Sequence, residues 1–169
     1  MKIRQFRTPA EKLAWGGVMT AVSLALQLLG GMIGIGTYAA PMLGAVCTLF
    51  VRKYSDRNTA VLHWLATGLL CLILCADKEL AALYLCLFGW YPLAKPALDR
   101  LRPKALSVLC RLVIFNAVIL AVYVLLLLLV YGGNWAALGL GGVWMTLLFL
   151  AAGNVLFLCM DFVLGKISR

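Results

Sequence analysis

Acidic side chains and histidine are scarce in this chain of 169 residues: six Asp and Glu stand against fifteen Lys and Arg, with a single histidine, His63. No Ser/His/Asp set, HExxH helix, P-loop or paired-aspartate motif of lipid-phosphate transferases appears, and no acidic residue adjoins His63 in sequence. The chain therefore reads as non-catalytic. Its cysteines, Cys47, Cys71, Cys75, Cys86, Cys110 and Cys159, form no CxxC pair. A structural zinc site takes four clustered Cys or His ligands, so they read as small polarizable core residues, and neither metal nor cofactor is expected. Long hydrophilic stretches are also missing. The loops are too short to fold alone, which leaves no soluble catalytic domain and points to one membrane domain over 1–169. No basic stripe interleaved with loop aromatics supports nucleic-acid binding.

What is present is apolar length. Six apolar stretches, 13–31, 32–51, 59–76, 80–98, 112–131 and 140–164, can each cross a bilayer core as a helix of about 20 residues. Positive charge falls in every second gap between them. It lies before the first stretch (Lys2, Arg4, Arg7, Lys12), after the second (Arg52, Lys53, Arg57), around the fourth-to-fifth turn (Lys95, Arg100, Arg102, Lys104, Arg111) and at the tail (Lys166, Arg169). Only Lys78 falls on the other side. Short loops rich in Lys and Arg stay cytoplasmic, so the pattern predicts an all-α integral membrane protein, a six-transmembrane-helix bundle with both termini cytoplasmic. Segments 30–37, 76–79 and 132–138 then face outward. The basic segment ahead of the first span resembles the start of a signal peptide, but the span is long and no small-x-small cleavage site ends it. It is expected to be retained.

Two spans need internal breaks. The 39 residues 13–51 carry no charge and would measure about 58 Å as one helix, so a turn must fall inside, and Gly30, Gly31, Gly34 and Gly36 mark it. The fourth stretch contains Pro92 and Pro96, each removing a backbone donor. A kink or stop is expected near 90–95.

Gly17, Ala21 and Ala25 recur at four-residue spacing, a small-residue face that lets helix backbones approach closely in a bilayer. It fits packing within the chain or docking of a partner. Polar residues inside the spans are Gln27, His63, Asn116, Asn154 and Asp161; buried ionisable groups in membranes are functional candidates by default. His63 and Asp161 lie within two turns of the cytoplasmic end and are expected to reach water or pair with Lys53, Arg57 or Lys166. Asn154, at mid-span, must find a partner or a ligand. On the outward side Tyr38, Asp77, Glu79, Tyr84, Tyr131, Asn134, Trp135 and Trp144 could line a pocket for a planar solute. An interfacial aromatic belt accounts for the rings equally well, though not for two carboxylates on a sparsely charged face.

Taken together, the six spans, the Ala21-Val22-Ser23-Leu24-Ala25 segment and the Gly-rich outward loop 30–37 resemble the substrate-binding S components of energy-coupling factor (ECF) transporters. In that family an AxxxA motif on the first helix docks the transmembrane coupling subunit, and the first outward loop closes over the solute. The resemblance implies a bacterial plasma-membrane subunit that captures a vitamin or similar small micronutrient, powered by the coupling subunit and two ATPase subunits. It implies substrate contacts from Tyr38, Glu79, Trp135, Trp144 and Asn154, and partner docking by Gly17, Ala21 and Ala25. It offers no role for 88–92. The alternative is a small envelope-assembly scaffold resembling the rod-shape-determining membrane proteins.

Overall fold

The computed structural model describes residues 8–33, 36–130, 132–133 and 143–168. Among them the regular structure is helical: α1 (Pro9–Gly31), α2 (Gly36–Tyr54), α3 (Arg57–Leu74), α4 (Lys78–Leu83), a π-helical turn (Tyr84–Phe88), α5 (Tyr91–Leu98), α6 (Lys104–Leu129) and α7 (Val143–Ser168). Four helical segments are long and apolar enough to cross a membrane: Pro9–Gly31, Arg57–Leu74, Lys104–Leu129 and Thr146–Ile167. The second and fourth apolar stretches fall outside this set. The former, α2, is diluted by Gly, Thr, Pro and a basic end; the latter is broken into short pieces.

Helix ends follow local chemistry rather than the limits of apolar sequence. Thr8 opens α1 with a capping box, its Oγ1 accepting from Glu11 N at 3.2 Å while the Glu11 carboxylate accepts from Thr8 N at 3.3 Å. Pro9 follows at the first helical position, where its missing N–H costs nothing. α6 starts directly after Pro103, eight residues ahead of the apolar stretch that begins at Leu112, so apolar length measures the lipid-facing part and understates the helix. Beyond α6, Gly132 and Gly133 take φ of 56° and 84°, the left-handed region that glycine enters without penalty. That bend lets the Gly133 N–H reach back to the Leu127 carbonyl at 2.8 Å.

The helices form two compact units, one over 1–97 and one over 98–167. In the first, α1 packs against both α2 and α3, and the α4–π segment contacts α2 and α3. On α1 and α3 the buried face is small and largely polar and the exposed face apolar. α1 buries Gly16, Ser23 and Gln27 while exposing Leu13, Val18, Val22 and Leu29. α3 buries Ala60, His63, Thr67, Gly68 and Cys71 while exposing Leu62, Leu69 and Ile73. An exposed apolar surface of this extent is unfavourable in water. Lipid reverses the sign.

The break in the fourth stretch sits at Gly89–Trp90, at the edge of the expected 90–95 region, and it has a physical cause. Restarting the helix at Tyr91 places Pro92 in the first turn, where no intrahelical donor is needed. Upstream, the Gly89 N–H bonds the Tyr84 carbonyl five residues back at 2.7 Å, which leaves surplus carbonyls in the π turn. Indoles take two of them: Trp64 Nε1 donates to Leu85 O at 3.0 Å, and Trp90 Nε1 donates to Cys86 O. Pro96 removes the N–H that would have bonded Pro92 O, and Arg52 Nη1 replaces it at 2.7 Å, also reaching Leu93 O at 3.3 Å. Segment 88–92 is thus a helix break whose neighbouring freed acceptors are satisfied by Arg52 of α2, Trp64 of α3 and its own Trp90.

In the second unit Phe115 of α6 stacks on Phe157 of α7 with ring centroids 4.7 Å apart. Gly153 lets the two helices approach, since a Cβ there would lie 3.3 Å from the Phe115 ring. At one end Arg111 forms ion pairs with Asp161 and Asp99 and donates to Ser107 Oγ at 2.8 Å. Asp161 thus has a partner in Arg111, which is not among the expected water, Lys53, Arg57 or Lys166. No sequence neighbour points to Arg111, which lies 50 residues away and meets Asp161 across the α6–α7 contact.

Candidate functional site

Four helix ends, those of α1 and α3 and the starts of α2 and α4, meet on one rim. Asp77 caps α4, its Oδ1 accepting from Leu80 N at 3.1 Å, and its Oδ2 accepts from Thr37 Oγ1 at 2.7 Å. The next acid, Glu79, accepts from the Tyr38 hydroxyl at 3.0 Å. The start of α2 is thereby tied to the start of α4 by two side-chain hydrogen bonds. Lys78 donates to the Leu72 and Cys75 carbonyls, both at 2.9 Å, and so caps the end of α3. Tyr38 and Glu79, expected as site residues, are brought together. Asp77 and Lys78 are occupied in holding helix ends.

One to three turns below the rim lies a polar cluster that no single sequence motif marks. Ser23 and Gln27 from α1, Thr48 from α2, Thr67 from α3 and Tyr84 from the π turn are all 0% exposed. The Tyr84 hydroxyl lies 3.4 Å from Thr48 Oγ1. Ser23 and Thr67 flank the same phenol without reaching hydrogen-bonding geometry. Both polar atoms of the Gln27 amide, together with Ser23 Oγ and Thr67 Oγ1, lack a hydrogen-bond partner. Each such group costs roughly 1–3 kcal/mol when buried. Gly44 makes the arrangement possible, because a Cβ there would lie 2.6 Å from Tyr84 Cε2 and 2.7 Å from Gln27 Nε2. Tyr84 is thus a core residue and not part of an outward aromatic lining.

The cluster continues inward along the α1–α3 contact. His63 is only 2% exposed, with Nδ1 3.0 Å from Thr20 Oγ1, so it is packed inside the unit and not open to water near a helix end. Gly16 brings the helices together below it, where a Cβ would lie 2.9 Å from Thr59 Cγ2. The readable signal is periodic: Thr59, His63, Thr67 and Cys71 recur every fourth residue on α3, opposite Thr20, Ser23 and Gln27 on α1.

Of the remaining expected contacts, Asn154 and Trp144 belong to the second unit. Asn154 finds a partner in Asn116: each amide nitrogen donates to the other's oxygen, at 2.9 and 3.1 Å. Replacing Asn154 by Leu should cost about 1–2 kcal/mol, and the Asn116→Leu/Asn154→Leu pair should recover most of it, read from equilibrium unfolding in mild detergent. Trp144 is 86% exposed and lies about 15 Å along α7 from Asn154. Trp135, Tyr131 and Asn134 lie outside the described residues. Gly17, Ala21 and Ala25 are all exposed, and a Cβ on Gly17 would meet nothing within 4 Å. The small residues that α1 uses for packing are instead Gly16 and Gly30.

Cys71 and Cys75 pack with Ala40, Leu80 and Ala81 in one apolar cluster, in keeping with a core role. No protein-family model, curated protein or solved structure matches the chain.

Proposed function

We propose that this chain is the solute-capturing membrane subunit of an importer of the energy-coupling factor type, a six-span protein with both termini cytoplasmic in a bacterial plasma membrane. The observation that carries the reading is the division of labour on α1. Its Gly17, Ala21 and Ala25 face is small and exposed, while its opposite face bears a buried polar stripe of Ser23 and Gln27. One face suits close approach by a partner helix; the other suits recognition of a polar solute within the membrane. The Tyr38–Glu79 and Thr37–Asp77 contacts provide an outward rim that can close over captured cargo.

In this reading the chain performs no chemistry. A small micronutrient enters from outside, a transmembrane coupling subunit docks on α1, and two ATPase subunits supply the energy for release inside. Assembly and capture use different faces and should separate by mutation. Ala21→Trp should abolish co-purification of the coupling subunit, a loss of more than tenfold, while solute binding by the isolated chain stays within twofold of wild type. Undiminished assembly by the Trp variant would refute the docking face. Loss of contacts to envelope-assembly proteins instead would favour a scaffold of the rod-shape-determining type.

A further inference from the structure

The buried cluster around Gln27 has a composition that selects a ligand. Its polar atoms come from four elements, α1, α2, α3 and the π turn, and all belong to neutral side chains. No carboxylate, ammonium or guanidinium is among them. A charged ligand would enter this low-dielectric seam without a counter-charge, which is strongly disfavoured. What lacks a partner is both a donor and an acceptor: Gln27 Nε2 and Oε1, with the Ser23 and Thr67 hydroxyls able to play either part. Gln27 is fully buried, and its amide shares the space over Gly44 with the edge of the Tyr84 ring. A primary amide is matched by a group presenting an N–H beside a C=O, as the reciprocal Asn116–Asn154 pair shows elsewhere in this chain.

We propose that Gln27, Ser23, Thr67, Thr48 and Tyr84 form the capture site, and that it takes a small uncharged solute through an amide-type edge, such as a lactam, imide or cyclic urea. The inference rests on the solute-capture reading and names its site and substrate class. Access comes from the rim. Gln27 lies about 6 Å below the end of α1, and Tyr84 about 9 Å below the start of α4, at a rise of roughly 1.5 Å per residue. The contacts above them, Thr37–Asp77 and Tyr38–Glu79, are side-chain hydrogen bonds at the partly buried to exposed rim, and they can open without unfolding a helix. The end of α1 and the start of α2, Gly31 and Gly36, are close in sequence. Opening therefore moves the start of α2 away from α4 and uncovers the seam between them.

The test uses the full chain in lipid nanodiscs with 2-pyrrolidinone, 2-imidazolidinone and uracil as neutral probes, and choline and succinate as charged ones. Binding is read by melting temperature, and native mass spectrometry of the same preparations reports any compound retained on purification. At least one neutral probe should raise the wild-type melting temperature. Gln27→Met should bind that probe at least tenfold more weakly. It should also melt no lower than wild type, since it removes two unpartnered polar atoms from the core. Thr67→Val, which deletes one unpartnered hydroxyl at nearly constant shape, should weaken binding about fivefold with its melting unchanged.

A Gln27→Met protein melting well below wild type would show that the amide is already satisfied, and would overturn the site. Binding of only charged probes, or equal binding of one compound by wild type and both variants, would overturn the site while leaving capture intact. A wild type that takes no probe and retains no compound would overturn both.

Discussion

Arg111→Met is expected to destabilise the protein by about 3–5 kcal/mol, because it removes the arginine paired to a buried carboxylate. Arg111 bridges two acids, but they are not equivalent: the Asp161 side chain is 9% exposed and the Asp99 side chain 44%. Water can solvate Asp99 once the arginine is gone, whereas Asp161 loses its arginine in a largely buried setting, where its charge is costly. Arg111→Lys should retain part of the stability, since an ammonium keeps the charge but cannot reach Asp161, Asp99 and Ser107 with one rigid fork. The Arg111→Met/Asp161→Leu pair should recover most of the loss, as replacing both members of a buried ion pair by apolar groups is often neutral. Equilibrium unfolding of the four proteins in mild detergent checks the series. A single Met variant within 1 kcal/mol of wild type, by the same scale, would show that Asp161 is not held as described.

The second large effect is expected at Gly36. An added Cβ there would lie 2.0 Å from the Gly30 carbonyl oxygen and 2.6 Å from the Gly30 carbonyl carbon and Cα. All three are backbone atoms, so no rotamer change relieves the clash. Gly36→Ala should therefore cost about 2–3 kcal/mol, the upper part of the range for overpacking, and should displace α2 from the end of α1. Gly17→Ala is the control. Its Cβ would meet nothing within 4 Å, and relief of the helical glycine penalty should stabilise by roughly 0.5–1 kcal/mol. Thermal unfolding of the two variants should move in opposite directions. Equal losses in both would show that the Gly30–Gly36 crossing is not as tight as it stands here.

The helical class and the α1–α2 turn are legible in sequence because each rests on a local signal. Uninterrupted apolar length marks α1, α3, α6 and α7, and four glycines within 30–36 mark the turn. The prolines marked the break in the fourth stretch to within a residue, since Pro92 needs a first-turn position wherever the helix restarts. What escaped was tertiary. Nothing local to residues 84–90 announces a π turn, which is stabilised by donors from Trp64, a residue on α3, and Trp90. Tyr84 looked like an outward aromatic because it follows the acidic loop by only a few residues; in the fold the helix carries it inward by about one and a half turns.

The candidate site divides the same way. Tyr38 and Glu79 were singled out as polar groups on a sparsely charged face, and they do meet. Asn154 was singled out correctly as a mid-span amide needing a partner, but which of a ligand or Asn116 would supply it depends on the α6–α7 register. The Gln27 cluster was missed for a different reason. Serine and threonine are too common within membrane helices to stand out singly, and only the coincidence of two polar stripes facing one another gives them weight.

Native mass spectrometry of the protein purified in mild detergent is the most direct test that this chain captures a solute. The account predicts a small uncharged compound at one per chain in the wild type, lost in Gln27→Met. A wild-type protein that emerges empty and instead brings down envelope-assembly partners would contradict it.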